Sequence, residues 1–104
     1  MSGVSIPVVE VSAVPENGFL LDVREANEWE IGHLPGAVRI SVNELPARLN
    51  ELDTAREMVV YCRSGARSGR AVDLLRQAGF RKVKNMVGGI LRWSDEVDPS
   101  IPKY

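Results

Sequence analysis

Residues 58–61, Met-Val-Val-Tyr, form a continuous apolar run. A strand that faces water on one side alternates apolar and polar residues. An unbroken apolar run marks a strand covered on both faces. Such strands belong to parallel sheets flanked by helices, so this stretch points to an α/β architecture.

The rest of the chain fits that choice. VVEV (8–11) and FLLDV (19–23) read as short strands, with turn chemistry at PENG (15–18) between them. EANEWEIGH (25–33) reads as a short helix stopped by Gly32, and AVRI (37–40) as a strand introduced by Pro35-Gly36. In NELPARLNEL the spacing of Leu45, Leu49 and Leu52 predicts one helical face, with Asn43 as N-cap and Pro46 in the first turn. From Ser68 onward, Ala71, Leu74, Leu75 and Ala78 follow helical spacing, and Gly79 sits where a glycine ends a helix. KVKNM (82–86) is a last strand, Gly88-Gly89 a turn, and ILRWSDEV (90–97) a closing helix before the proline-rich DPSIPKY. Strands alternating with helices predict a mostly parallel sheet, in which ligands bind beyond the carboxyl ends of the strands. The residue that follows the buried strand is Cys62, the only cysteine.

Cys62 opens the segment CRSGARSGRA, which runs from strand to helix in a few residues. Two readings compete. Free cysteine is among the most buried residue types, so Cys62 can simply end a core strand. Alternatively it is a nucleophile. Gly65 permits a tight turn or a positive φ, and a loop feeding a helix N-terminus gathers unpaired N–H groups into an anion cradle. A thiol in such a cradle ionises more easily, and Arg63 and Arg67 add positive charge. A core cysteine requires none of these neighbours, and the second reading is preferred. Arg70 reads as solvated. Arg67 can instead hold the loop's shape by pairing with an acid, and Asp22, at the end of the FLLD strand on the same sheet edge, is the candidate.

Loop length separates two reactions. A cysteine phosphatase places its phosphate-clamping arginine six residues after the cysteine. Here the sixth residue is Ser68, and Arg67 comes one position early. The smaller cradle suits the terminal sulfur of a persulfide better than a phosphate.

Three motifs in order now carry a family resemblance: LLDVREANEWEIGHLPGAVRI, VVYCRSGARS and VGGILRWSDEVDPSIPKY. Together they resemble a single rhodanese-like domain over nearly all of residues 1–104. The resemblance implies a rhodanese-like five-stranded parallel sheet with helices on both faces. It also implies ping-pong sulfurtransferase chemistry, with Cys62 as the catalytic nucleophile that becomes a persulfide. The loop Arg63, Ser64, Gly65, Ala66, Arg67 and Ser68 would hold that persulfide through its N–H groups. The implied small molecules are a donor such as thiosulfate or a persulfide, and a thiophilic acceptor such as cyanide or a thiol. No metal or organic cofactor is implied. Arg63 matches a position that is often basic in members using thiosulfate, whereas Ser64 is neutral where some members carry a second cation. The closing residues are similar to the ends of rhodanese domains joined to adenylyltransferases that supply sulfur to carrier proteins, which adds a sulfur-carrier protein as a partner.

Asp22, Arg24 and His33 are read as structural support for the site. Arg24 either reaches the mouth to bind anions or forms a salt bridge. His33, the only histidine, fixes the GHLPGA turn by a hydrogen bond rather than serving as a general base. Trp29 and Trp93 are packing residues. Against sulfur transfer stand a phosphatase or arsenate reductase on the same fold, and a persulfide carrier or non-catalytic partner-binding module.

Charge and composition exclude other classes. A net charge of -1 gives no global attraction to nucleic acid or anionic membrane. No apolar run is long enough to span a bilayer, and MSGVSIPVVEV lacks the parts of a signal peptide. One cysteine and one histidine cannot make an ordinary Cys/His metal site. A free thiol fits the reducing cytoplasm.

Overall fold

The computed structural model describes residues 6–104. Residues 1–5, part of the stretch read as lacking a signal peptide, lie outside the described residues. The elements are β1 (Val8–Val9), β2 (Phe19–Asp22), α1 (Ala26–Ile31), β3 (Val38–Arg39), β4 (Met58–Tyr61), α2 (Ala66–Gln77), β5 (Val83–Met86) and α3 (Gly89–Glu96). The five strands form one sheet in the order β1-β5-β4-β2-β3, and every pairing is parallel.

The apolar run at 58–61 becomes the central strand β4, and all four of its residues are buried. Met58 and Val60 face a core made with Leu21 and Val23, Ala71, Val72 and Leu75 of α2, and Leu45. Val59 and Tyr61 face the other side, where Ile90 of α3, Leu34 and Val11 close over them. Helices therefore cover both faces, as a parallel sheet requires.

Two helix expectations need correction. Residues 43–52 are not one α-helix with Asn43 as cap. They form two 3₁₀ turns, Leu45–Ala47 and Leu49–Glu51, with no side-chain cap. Pro46 has no N–H to give the carbonyl of Val42, so the first turn closes through i→i+3 bonds such as Ala47 N to Glu44 O at 3.1 Å. Arg48 then leaves helical geometry at φ -122° and ψ 17°. The leucines still point inward, because short turns serve the same three- and four-residue spacing. In α2 the buried stripe is Ser68, Ala71, Val72 and Leu75, while Ala78 is exposed. That stripe keeps the i, i+3, i+4, i+7 rule but starts from the polar Ser68, and Val72 rather than Leu74 is its fully buried member.

The largest wholly buried side chain is Arg24, at 0% exposure. Its Nε and Nη2 donate to the Asp22 carboxylate at 3.0 and 2.7 Å, and Asp22 is equally buried. Nη2 also donates to the Gly32 carbonyl at 2.7 Å. Nη1 reaches the carbonyl of Glu28 at 3.4 Å and the main-chain oxygen of Tyr104 at 2.9 Å. The arginine thus joins β2, both turns of α1 and the C-terminal segment. Gly32, which stops α1, is glycine for space rather than conformation: a Cβ there would lie 2.6 Å from the Pro102 ring.

Asp22→Ala leaves this guanidinium charged, buried and without its counter-charge. We expect it to lower unfolding free energy by about 3–5 kcal/mol, read from urea denaturation. A loss below about 1 kcal/mol would show that the pair does not organise the fold.

Candidate active site

Cys62 lies immediately after β4, at the carboxyl edge of the sheet where α/β proteins bind ligands. The residue is only 1% exposed and packs with the α2-side core, so it is a buried cysteine as well as a loop cysteine. What distinguishes it from a packing thiol is its set of donors. The Gly65 N–H donates to Sγ at 3.1 Å and the Ser68 N–H at 3.4 Å. Ser68 Oγ–H lies 3.3 Å from Sγ and 2.5 Å from Asn85 Oδ1, so its single hydrogen is shared between two acceptors.

The backbone of the loop explains how these donors converge. Gly65 sits at φ +114° and is the N-cap of α2, a conformation that favours glycine. Its carbonyl accepts from Asn85 Nδ2 at 3.1 Å and from the helical Gly69 N–H at 3.0 Å. The carbonyls of Cys62 and Arg63 point away from the sulfur, toward α3, where Ile90 N–H and Leu91 N–H donate to them at 2.9 and 3.2 Å. Gly89 is what allows that approach. Its φ is +62°, and a Cβ would stand 2.6 Å from the Cys62 carbonyl oxygen and closer still to Arg63. The Gly88-Gly89 turn therefore shapes the loop directly.

Burial pushes the Cys62 thiol up, because it disfavours the charged thiolate. Hydrogen bonds from the Ser68 hydroxyl and from the amides of Ser68, Gly65 and Ser64 outweigh burial, and the net shift is downward.

The side chains predicted for the site fall into three places. Ser68 and Gly65 contact the sulfur, while Arg63, Ser64 and Ala66 are exposed along the loop. Arg67 turns away and pairs with an acid, as one reading held, but the acid is Glu28 and not Asp22. Its Nη1 and Nη2 donate to the two Glu28 carboxylate oxygens at 2.6 and 2.8 Å. Asp22 is unavailable because both its oxygens bond Arg24. Arg24 is fully buried and belongs to that pair, so it does not line the mouth. His33 stacks on Trp29 with ring centroids 3.5 Å apart. Its Nδ1 lies 2.9 Å from the Trp29 carbonyl, which can only accept, so Nδ1 carries the hydrogen. No hydrogen bond among the described residues joins His33 to Cys62, and the bond its ring does make runs back to α1 rather than to another group of the GHLPGA turn.

Sequence reasoning missed Glu28 and Asn85. Both left a signal. Glu25 and Glu28 have capping-box spacing, and the structure contains that box at the start of α1. Asn85 is a buried polar residue in a strand, at 8% exposure, and such a residue needs partners.

A scan against protein families matches the rhodanese-like domain model over residues 9–96. A putative sulfur carrier protein of Bacillus subtilis, YrkF, is 37% identical over 100 residues, which is 90% of this chain and 54% of that protein. A sulfurtransferase of Allochromatium vinosum is 39% identical over 76% of this chain and 74% of its own length. The chain thus spans about half the length of the Bacillus relative, and 62% of a second, uncharacterized Bacillus subtilis protein. Among solved structures, a rhodanese-related protein of Thermoplasma volcanium superposes with a TM-score of 0.84 at 29% identity, covering 94% of this chain and 99% of that one.

The pH profile of Cys62 alkylation should have its midpoint below the free-thiol value of about 8.5, and Ser68→Ala should move it upward. A wild-type midpoint at or above the free value would contradict the donor set. Separately, the Arg67 guanidinium holds the Glu28 carboxyl down at about 2, well below the usual carboxylate range. A depressed carboxylate stabilises the fold fully above its unfolded pKa and loses that contribution as pH falls through the folded one. Glu28→Gln should therefore be less stable at pH 7 by about 2–3 kcal/mol, and this difference should vanish between about pH 4.5 and 2. A difference that stays constant over that range would rule out the ion pair as its source.

Proposed function

The chain belongs to the rhodanese-like domain family, and from that premise we propose that it transfers sulfane sulfur through a Cys62 persulfide. The observation that carries the reading is the convergence of the Gly65 amide, the Ser68 amide and the Ser68 hydroxyl on one sulfur. These groups stabilise a thiolate before reaction. After it, the N–H groups of Arg63 through Ser68 hold the outer sulfur of the persulfide.

The half-reactions balance simply. The Cys62 thiolate attacks the outer sulfur of thiosulfate. A new S–S bond forms, the old one breaks, and sulfite departs with the bonding electrons. An acceptor nucleophile, cyanide or a thiolate, then attacks the outer sulfur of the persulfide. It leaves as thiocyanate or as a new persulfide, and the Cys62 thiolate is restored. No metal or cofactor enters either step. A reducing compartment such as the cytoplasm keeps the thiol free between turnovers. The carrier name of the Bacillus relative supports a protein thiol or sulfur-carrier protein as one class of acceptor.

The orientation of Arg67 weighs against a phosphatase or arsenate reductase. A tetrahedral oxyanion needs a bidentate clamp. The arginine nearest that role is engaged with Glu28 instead.

Intact mass after incubation with thiosulfate tests the proposal. The protein should gain one sulfur atom, Cys62→Ser should gain none, and cyanide should remove the added atom. The reading is overturned by no gain with thiosulfate, mercaptopyruvate or a persulfidated donor protein. It is equally overturned by turnover of an aryl phosphate that disappears in Cys62→Ser.

A further inference from the structure

The segment 98–104 is tied down at several points. Ser94 Oγ donates to the Ile101 carbonyl at 2.6 Å, and Lys103 pairs with Asp95. Pro102 lies against Gly32 so closely that a Cβ at that glycine would meet its ring. Arg24 donates to the main-chain oxygen of Tyr104 at 2.9 Å. These attachments come from α3, the end of α1 and the buried arginine. They set where the Tyr104 side chain stands, although it is itself exposed.

That side chain stands against the catalytic loop. The guanidinium carbon of Arg63 is 5.3 Å from the centroid of the Tyr104 ring, within cation–π range. Arg63 is exposed and directly follows Cys62. Among the described residues it has no carboxylate within salt-bridge distance, unlike Arg67, whose charge Glu28 answers. Arg63 is therefore the cation of the loop whose field is left for a ligand. A free arginine side chain spreads that field over many rotamers, and an aromatic face restricts them.

We propose that Tyr104 is a positioning residue whose ring holds the Arg63 guanidinium at the rim of the cradle, and so gives the site its preference for anionic sulfur donors over neutral ones. The nature of the donors rests on the sulfur-transfer reading. The charge preference does not, because it acts on any reagent that approaches Cys62.

Iodoacetate and iodoacetamide test it. Both alkylate the same thiolate, so the ratio of their rates cancels thiol pKa and burial and leaves the reagent's charge. Arg63→Ala should lower the iodoacetate-to-iodoacetamide ratio. Tyr104→Ala and Tyr104→Leu should each lower it about two- to fivefold, and Tyr104→Phe should retain it. Removal of the ring should have no further effect in the Arg63→Ala background. With thiosulfate, Tyr104→Ala should raise KM more than it lowers kcat. These substitutions leave the main-chain bond to Arg24 in place, and circular dichroism reports folding for each. An unchanged ratio in both Tyr104→Ala and Tyr104→Leu overturns the proposal. So does a lowered ratio in Tyr104→Phe, or an equal drop when Arg63 is already absent. If wild type takes up no sulfur from any donor, the functional reading fails while the alkylation ratios still decide the role of Tyr104.

Discussion

The peptide groups after β4 can aim amide hydrogens at one sulfur only because their carbonyl oxygens are taken up elsewhere. A loop that turned both kinds of group toward the thiolate would cancel its own field. Here Ile90 and Leu91, at the start of α3, accept the task of satisfying the Cys62 and Arg63 carbonyls, and Asn85 and Gly69 satisfy that of Gly65. The first turns of two helices are thus used differently: α2 supplies a donor to the sulfur and α3 supplies donors to the loop. Two glycines with positive φ, Gly65 and Gly89, make the arrangement sterically allowed.

A second network holds the surroundings of this loop in place. All five N–H groups of Arg24 meet an oxygen, drawn from Asp22, Gly32, Glu28 and Tyr104. A buried guanidinium is costly to desolvate, and only such complete pairing makes it tolerable. Satisfying it fixes α1, and α1 in turn carries the Glu28 carboxylate to Arg67 at the first turn of α2. The fold therefore reaches the Cys62 loop from two sides, through α3 by backbone hydrogen bonds and through α1 by an ion pair.

The central strand, the tight turn after Cys62 and the sheet type were legible in the sequence because each depends on local facts. Val59 and Val60 between Met58 and Tyr61 require cover on both faces, and Gly65 after Cys62 requires a turn. Partner choice was less legible. Asp22 and Arg67 do lie near the same sheet edge, but Arg24, two residues from Asp22, reaches that carboxylate first. The i, i+2 neighbour wins because its main chain and side chain bond the same carboxylate. The 43–52 segment was misread for a related reason: leucine spacing reports which side chains face the core, and it does not distinguish an α-helix from successive 3₁₀ turns. Tyr104 left no readable signal, since its place beside Arg63 depends on the packing of Pro102 on Gly32 and on the bond from Arg24, both partners being far away in sequence.

The proposal of sulfur rather than phosphate as guest rests on donors that are amides and a hydroxyl set around a single atom, and on an Arg67 engaged with Glu28. The most direct measurement is a high-resolution crystal structure of the protein after incubation with thiosulfate. One added sulfur is expected, bonded to Cys62 Sγ and lying inside the 63–68 loop within hydrogen-bond reach of its amides, with the Arg67–Glu28 pair intact. A sulfur directed out of the loop, or an oxyanion clamped by an Arg67 that has left Glu28, would contradict the proposal.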